Sequence, residues 1–239
     1  MCHTGARNIS KKPGTHSSLS KKIKLYEKLV PNTPAVPYKI IGNMPKDYAK
    51  KLKIHGEVAV TAGGHDTCLS HIPIISTFYQ LFPNLQKNGV FHLEVGTWIM
   101  GAQLDNTNSL NSPSSFKHGT IVQGTVDGFP VPTTMYGGGS DYKCLITKAR
   151  DKGIDFISDF SKNELTEVLK DCCCFALPNI AINNYGTGPF PSLKGTIINE
   201  EYFYSSGKKA YIIANLMSVL TTAYQISALL TKKTSIVCR

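Results

Sequence analysis

The chain has 239 residues, of which 41% are hydrophobic, and this is enough to bury a sizeable core as one large domain or parts of two. Lys and Arg number 26 against 16 Asp and Glu, a formal net charge of +10 that would suit nucleic acid, a membrane surface or an anionic substrate. The placement of that charge excludes one coherent binding face. Much of the excess falls in the first 53 residues, and from Lys11 to Lys24 the basic residues Lys11, Lys12, Lys21, Lys22 and Lys24 are mixed with Ser, Thr and Gly, with no aromatic residues interleaved among them as stacking platforms.

Residues 1–24 therefore read as a basic flexible tail, with no nucleic acid as partner. From Tyr26 to Ile54 short apolar groups alternate with Pro31, Pro34, Pro37, Gly42 and Pro45, which suits loops and short helical pieces. Glu57 to Ala62 reads as a buried strand. It leads into Gly63-Gly64, where the backbone is free to bend, and then into His65, Asp66 and Thr67. Asp66 to about Phe82 has helical periodicity, with Pro73 as a break or kink. Gly89 to Val95 and Trp98 to Leu104 alternate as a hairpin joined across Gly96-Thr97, and a domain boundary is expected near Lys87 to Gly89.

Asn106 to Lys117 is a polar loop, and Thr120 to Val126 a further strand. The cluster Gly137-Gly138-Gly139-Ser140-Asp141 opens a helix. Ser161 with Glu164 forms a capping box, and Phe160 with Leu165 a hydrophobic staple, so a helix is expected from there to about Cys174. Ile180 to Ile182 reads as a short strand ahead of an irregular loop, Tyr185-Gly-Thr-Gly-Pro-Phe-Pro191. Ala210 to Leu230 is uncharged and flanked by lysines, as a membrane span often is. Its Asn215, Ser218, Thr221, Thr222, Tyr224, Gln225 and Ser227 argue against that. Ile212, Leu216, Val219, Leu220, Ala223, Ile226 and Leu230 recur along a broad stripe, so a helix packed inside a soluble domain is expected, with no membrane as partner. Strands with glycine turns and helices in no strict alternation indicate an α/β chain with mixed sheets.

Several chemistries lack their residues. Ser206-Gly207-Lys208-Lys209 has neither the upstream glycine nor the following Ser or Thr of a phosphate-binding loop, there is no dinucleotide fingerprint, and Gly139-Ser140-Asp141 lacks the pattern of a nucleophile elbow. His55, His65 and His71 match no standard metal spacing. Seven cysteines, three of them consecutive at Cys172 to Cys174, form no disulfide framework in a chain without a signal peptide; a reducing, cytoplasmic compartment and buried helix thiols follow. Two stretches remain. Asp66 after Gly-Gly is either a helix cap or a carboxylate aimed at a ligand. The Gly96-Thr97 turn is either a plain hairpin tip or a backbone cradle for phosphate.

In order, a strand, Gly63-Gly-His-Asp-Thr67, a helix and a strand with Val95-Gly-Thr-Trp98 resemble the FGGY family of carbohydrate kinases, and the motif pair is most similar to the kinases of fuculose and rhamnulose. The resemblance runs from roughly Leu29 to Leu230 and takes in Tyr38-Lys-Ile-Ile-Gly42, Gly138-Gly139 and Gly186-Thr-Gly-Pro-Phe-Pro191. It implies the actin-like ATPase (ribonuclease H-like) fold in incomplete form, with residues 25–88 as the end of the sugar-binding domain and 89–239 as the first part of the ATP-binding domain. It implies ATP and Mg²⁺ as cofactors and a ketose as substrate. Asp66 matches the family's catalytic base, His65 and Thr67 its substrate-binding neighbours, and Gly96 and Thr97 its ATP phosphate-binding hairpin; none of these is a metal ligand. Phosphoryl transfer needs positioning and charge stabilisation more than covalent chemistry, and a carboxylate with an amide cradle supplies both. The sequence departs from the family in two places. No Asp-x-Gly-Thr hairpin precedes Asp66, and no Gly-Gly-rich adenosine motif follows the long helix, so the chain alone is expected to transfer phosphate poorly or not at all. The alternative is a catalytically inactive interaction or regulatory protein built on part of the fold.

Overall fold

The computed structural model describes residues 7–8, 15–16, 21–23, 36–84, 89–104, 120–125, 130–181, 193–229 and 235–238. The expected loops at Asn106 to Lys117 and Tyr185 to Pro191 lie outside them, as do Ile182 and most of the first 35 residues. Contacts divide the chain into two compact units: Met1–Gln86 with Asn106–Leu110 and Val122–Val131, and Lys87–Asp105 with Asn111–Ile121 and Pro132–Arg239.

In the first unit, β1 (Arg7–Asn8) pairs antiparallel with β2 (Thr15–His16). Strand β3 (Ile40–Asn43) pairs antiparallel with β4 (Ala59–Thr61), and α1 (Lys46–Lys51) lies between them in sequence. The strand expected at Glu57 to Ala62 is present, but all three residues of β4 are exposed, as are Ile40 and Ile41 opposite. A two-stranded ribbon offers neither face an interior, so the apolar run that suggested burial does not produce it. Gly63, at φ +66, then turns the chain toward α2 (Asp66–Leu81). This helix continues past Pro73 and does not break there, although the proline lacks a backbone donor and its ring crowds the carbonyl one turn earlier, and it buries Thr67, Cys68 and His71.

A five-stranded sheet holds β5 (Val90–Val95), β6 (Ile99–Leu104), β7 (Thr120–Gly124), β8 (Pro130–Tyr136) and β11 (Ser235–Cys238) in the order β11-β5-β6-β8-β7; β5, β6, β11 and most of β8 belong to the second unit, while Val122–Gly124 of β7 and Pro130–Val131 of β8 are counted in the first. Strand β11 runs parallel to β5, whereas β5–β6 and β6–β8 are antiparallel, so the sheet is mixed. Register places Leu93 opposite Gly101 and Ile99 opposite Tyr136, and Phe91, Leu93, Ile99 and Tyr136 form one apolar patch against Ile226. The larger core is helical. Leu145 and Ala149 of α3 (Gly138–Asp151), Val168 of α4 (Lys162–Asp171), Phe203 of α5 (Glu200–Phe203) and Ile213 and Met217 of α6 (Gly207–Leu229) meet in it. Each fully buried large side chain there contributes on the order of 1.5–3 kcal/mol.

Helix α6 has the expected extent, and its inner face follows the expected stripe only in part. The buried residues are Ala210, Ile212, Ile213, Ala214, Met217, Thr221 and Gln225, and Leu216 and Ile226 of the stripe pack partly buried against the cores, while Val219 and Leu220 are 61% and 58% exposed. The sequence is apolar almost all round, so periodicity leaves the face open; small Ala210 and Ala214 allow close approach to the core, and the Tyr136 hydroxyl donates to the Ser218 carbonyl at 3.3 Å. Among the described residues no helix is long and apolar enough to cross a membrane.

The α4 start is as its sequence indicates. The Ser161 Oγ accepts from the Glu164 amide at 3.2 Å, and Glu164 Oε2 accepts from the Ser161 amide at 2.6 Å. Phe160 and Leu165 both pack on the helical core. The helix ends at Asp171, three residues early, because Cys172 adopts the left-handed conformation at φ 44. Cys172 and Cys173 are consequently exposed loop thiols and only Cys174 is buried; burial pushes its thiol up to about 11. The strand expected at Ile180 is also absent. Strand β9 (Phe175–Ala176) pairs with β10 (Ile197–Ile198), and Asn179, at φ 67, turns the chain before Ile180.

Lys208 Nζ lies 2.8 Å from Glu164 Oε1, and this contact, with the two bonds to Ser161, holds the Glu164 carboxyl down from 4.5 to about 2. A carboxyl lowered in the folded state stabilises it fully above its unfolded value and loses that effect as pH falls toward about 2. Glu164→Gln should therefore lower Tm slightly at pH 7, with the difference from the parent protein shrinking to nothing between pH 4.5 and 2. Because both groups are solvent-exposed, salt should shrink it too. A Tm difference independent of pH over that range would show that the pair contributes nothing.

Candidate functional site

Asp66 is not the helix cap. The N-cap position falls on His65, whose side chain makes no capping bond, and Asp66 is the first residue of α2. Its Oδ1 accepts from the Thr67 amide at 2.8 Å and lies 3.0 Å from His65 Nδ1, yet the side chain is 89% exposed. A carboxylate in the first helical turn is favoured by the helix dipole. Asp66 is exposed and held through one oxygen. His65 is partly exposed beside it. Thr67 is buried, so its contribution to this site is the amide that orients Asp66.

The Gly96-Thr97 tip belongs to the second unit. The Gly96 amide donates to the Trp98 carbonyl at 3.0 Å and closes the turn, and Gly96, Thr97 and Trp98 are all exposed. What holds the tip is α3. The Thr97 carbonyl accepts from the Gly139 amide at 3.2 Å and from the Ser140 amide at 3.4 Å. A Cβ on Gly139 would fall against the Gly96 carbonyl and 2.9 Å from the Thr97 Cα. Glycine is required there for close approach, and the helix N-terminus is thereby pressed onto the hairpin.

One buried residue of this region has no reading in the sequence beyond its glycine cluster. Asp141, fully buried in the first turn of α3, accepts from the Asn179 amide at 2.6 Å and the Ala181 amide at 2.9 Å. It ties the Asn179 turn to the helix that supports the hairpin. An amide left unpaired in such a site costs about 1–3 kcal/mol. The only hint in the sequence is an acidic residue just after a glycine run.

Among the described residues no group of three His, Cys, Asp or Glu could hold a metal ion.

A mixed sheet with helices packed on it and a Gly-Thr hairpin docked on a helix N-terminus belong to an α/β chain of the actin-like ATPase class, and solved structures share its fold. A carbohydrate kinase from Novosphingobium aromaticivorans superposes with a TM-score of 0.59 at 18% identity, over 94% of this chain and 45% of that one. A ligand-bound xylulose kinase from Lactobacillus acidophilus gives a TM-score of 0.59 at 15% identity, over 98% and 45%. A gluconate kinase from the same organism gives 0.56 at 15% identity, over 94% and 43%. This chain thus spans less than half the length of each. Residues 93–238 match the family described as carbohydrate kinase FGGY, C-terminal domain, and the chain belongs to that family. No curated protein matches it.

Proposed function

We propose that the chain forms part of an ATP-dependent carbohydrate kinase that transfers the γ-phosphoryl group of ATP to a ketose hydroxyl. Asp66 is the base that accepts the hydroxyl proton, His65 contacts the sugar, Thr67 orients Asp66, and Gly96 with Thr97 cradles the γ-phosphate. The observation that carries the reading is the exposed Gly96-Thr97 tip pinned by the α3 N-terminus within the FGGY-matched segment. Backbone held in advance costs no reorganisation as charge develops, and the nearby helix N-terminus adds attraction for an anion. For both motifs to act on one phosphoryl group they must face a shared cleft. The alternative is a catalytically inactive interaction or regulatory protein built on part of the fold.

The test is nucleotide titration followed by amide chemical shifts, paired with ADP release over a ketose panel when a polypeptide bearing the Asp-x-Gly-Thr hairpin is supplied. ATP-dependent shifts at Gly96 and Thr97 together with ketose-dependent ADP release are expected. Shifts without turnover would favour the inactive reading, and neither response would remove the kinase assignment.

A further inference from the structure

The cationic excess near the start of the chain has no part in the kinase reading, and the fold gathers some of it. A groove of about 670 Å³ in the first unit is lined by Lys46, Lys50, Lys53, His55 and Glu57. Its size falls within the range of small-molecule sites. Lys46 and Lys50 are one helical turn apart on α1 and so share a face. Lys53 reaches the same groove by an unusual route. The Ile54 amide donates to the Ala49 carbonyl at 2.9 Å to close the helix end, and Lys53 sits in that turn at φ 56. This left-handed position normally belongs to glycine. Here a lysine occupies it, and Lys53 is the third basic residue in the groove lining besides His55.

None of the three lysines has an ion pair within 4 Å among the described residues, and the only acid lining the groove is Glu57. Formal charge is therefore three positive against one negative, which disfavours a cation and favours a multiply charged anion. Met44 and Ile54 add apolar surface to the same lining. Unpaired ammonium groups around a partly apolar lining suit a phosphate attached to an organic body better than a bare ion, since the phosphate takes the lysines and the body covers the apolar residues.

We propose that this groove is a binding site for a small phosphorylated organic anion, separate from the Asp66 and Gly96-Thr97 motifs. The proposal stands independently of the kinase reading.

The whole chain would be titrated with phenyl phosphate at 0.15 M salt, with inorganic phosphate and a short DNA duplex as parallel ligands, and binding mapped by amide shifts. Saturable phenyl phosphate binding is expected, tighter than inorganic phosphate, with shifts at residues 43–57. Lys50→Gln and Lys53→Gly should each raise Kd roughly tenfold, the effect of one charge-assisted hydrogen bond. Lys53→Gly also relieves the left-handed backbone, so weaker binding in that variant cannot come from unfolding. An unchanged Kd in both variants would overturn the proposal, as would shifts confined to Gly96 and Thr97 or affinity no better than for inorganic phosphate. DNA binding tighter than phenyl phosphate and weakened by the same variants would reassign the groove to nucleic acid and overturn it equally.

Discussion

Asp66→Asn is expected to reduce turnover by roughly two to four orders of magnitude while leaving nucleotide affinity nearly unchanged. The amide keeps the shape of the carboxylate but cannot take the hydroxyl proton. Its Oδ1 can still accept from the Thr67 amide, as the carboxylate does at 2.8 Å. The fold should therefore survive. The side chain is 89% exposed and is not the N-cap, so the stability cost should stay near that of a surface substitution, within about 0.5 kcal/mol. Turnover should be measured by ADP release with a segment bearing Asp-x-Gly-Thr supplied. Nucleotide affinity should be measured separately. A loss of both turnover and Tm would make Asp66 a structural residue, and near-normal turnover would remove it as the base.

Gly139→Ala should disrupt the hairpin from the opposite side. The new methyl would meet the Gly96 carbonyl and the Thr97 Cα, both backbone atoms that cannot swing aside as a side chain can. Either the tip moves off α3 or the helix end does, and the bonds from the Gly139 and Ser140 amides to the Thr97 carbonyl weaken together. Overpacking of this kind costs about 1–3 kcal/mol. The larger consequence should be functional: if the tip cradles the γ-phosphate, ATP affinity should fall by at least about tenfold, since one lost charge-assisted hydrogen bond is worth that much. Ser140→Ala, which adds no bulk, serves as the control. Equal ATP affinity in the parent protein and Gly139→Ala would separate the hairpin from nucleotide binding.

Much of the local structure was written in the sequence, because it depends on neighbours a few residues apart. The α4 capping box needs only Ser161 and Glu164, three positions apart. The β5–β6 hairpin needs only two alternating runs around Gly96-Thr97, and α2 follows Gly63-Gly64 at the residue its periodicity indicates. The two motifs that carry the family resemblance are likewise contiguous stretches.

What the sequence left open depended on partners distant along the chain. No charge marks a face of α6 beyond Lys209, and only the positions of the core and of Tyr136 add Ala210, Ile213, Ala214 and Met217 to Ile212 on its inner face and leave Val219 and Leu220 outside. The apolar run at β4 is exposed because its one ladder partner is β3. Cys172 to Cys174 fell outside the helix because the chain turns left-handed at Cys172. Local sequence could not show whether Asp66 caps α2, because an acid where a turn enters a helix suits a cap as well as a ligand-facing carboxylate; the structure puts the N-cap at His65. Nor could it show that Gly139 closes on Gly96, or that Asp141 reaches the amides of Asn179 and Ala181. Those contacts join residues about 40 positions apart, and short-range propensity and periodicity contain no information at that distance; only the packed chain brings them within a hydrogen bond.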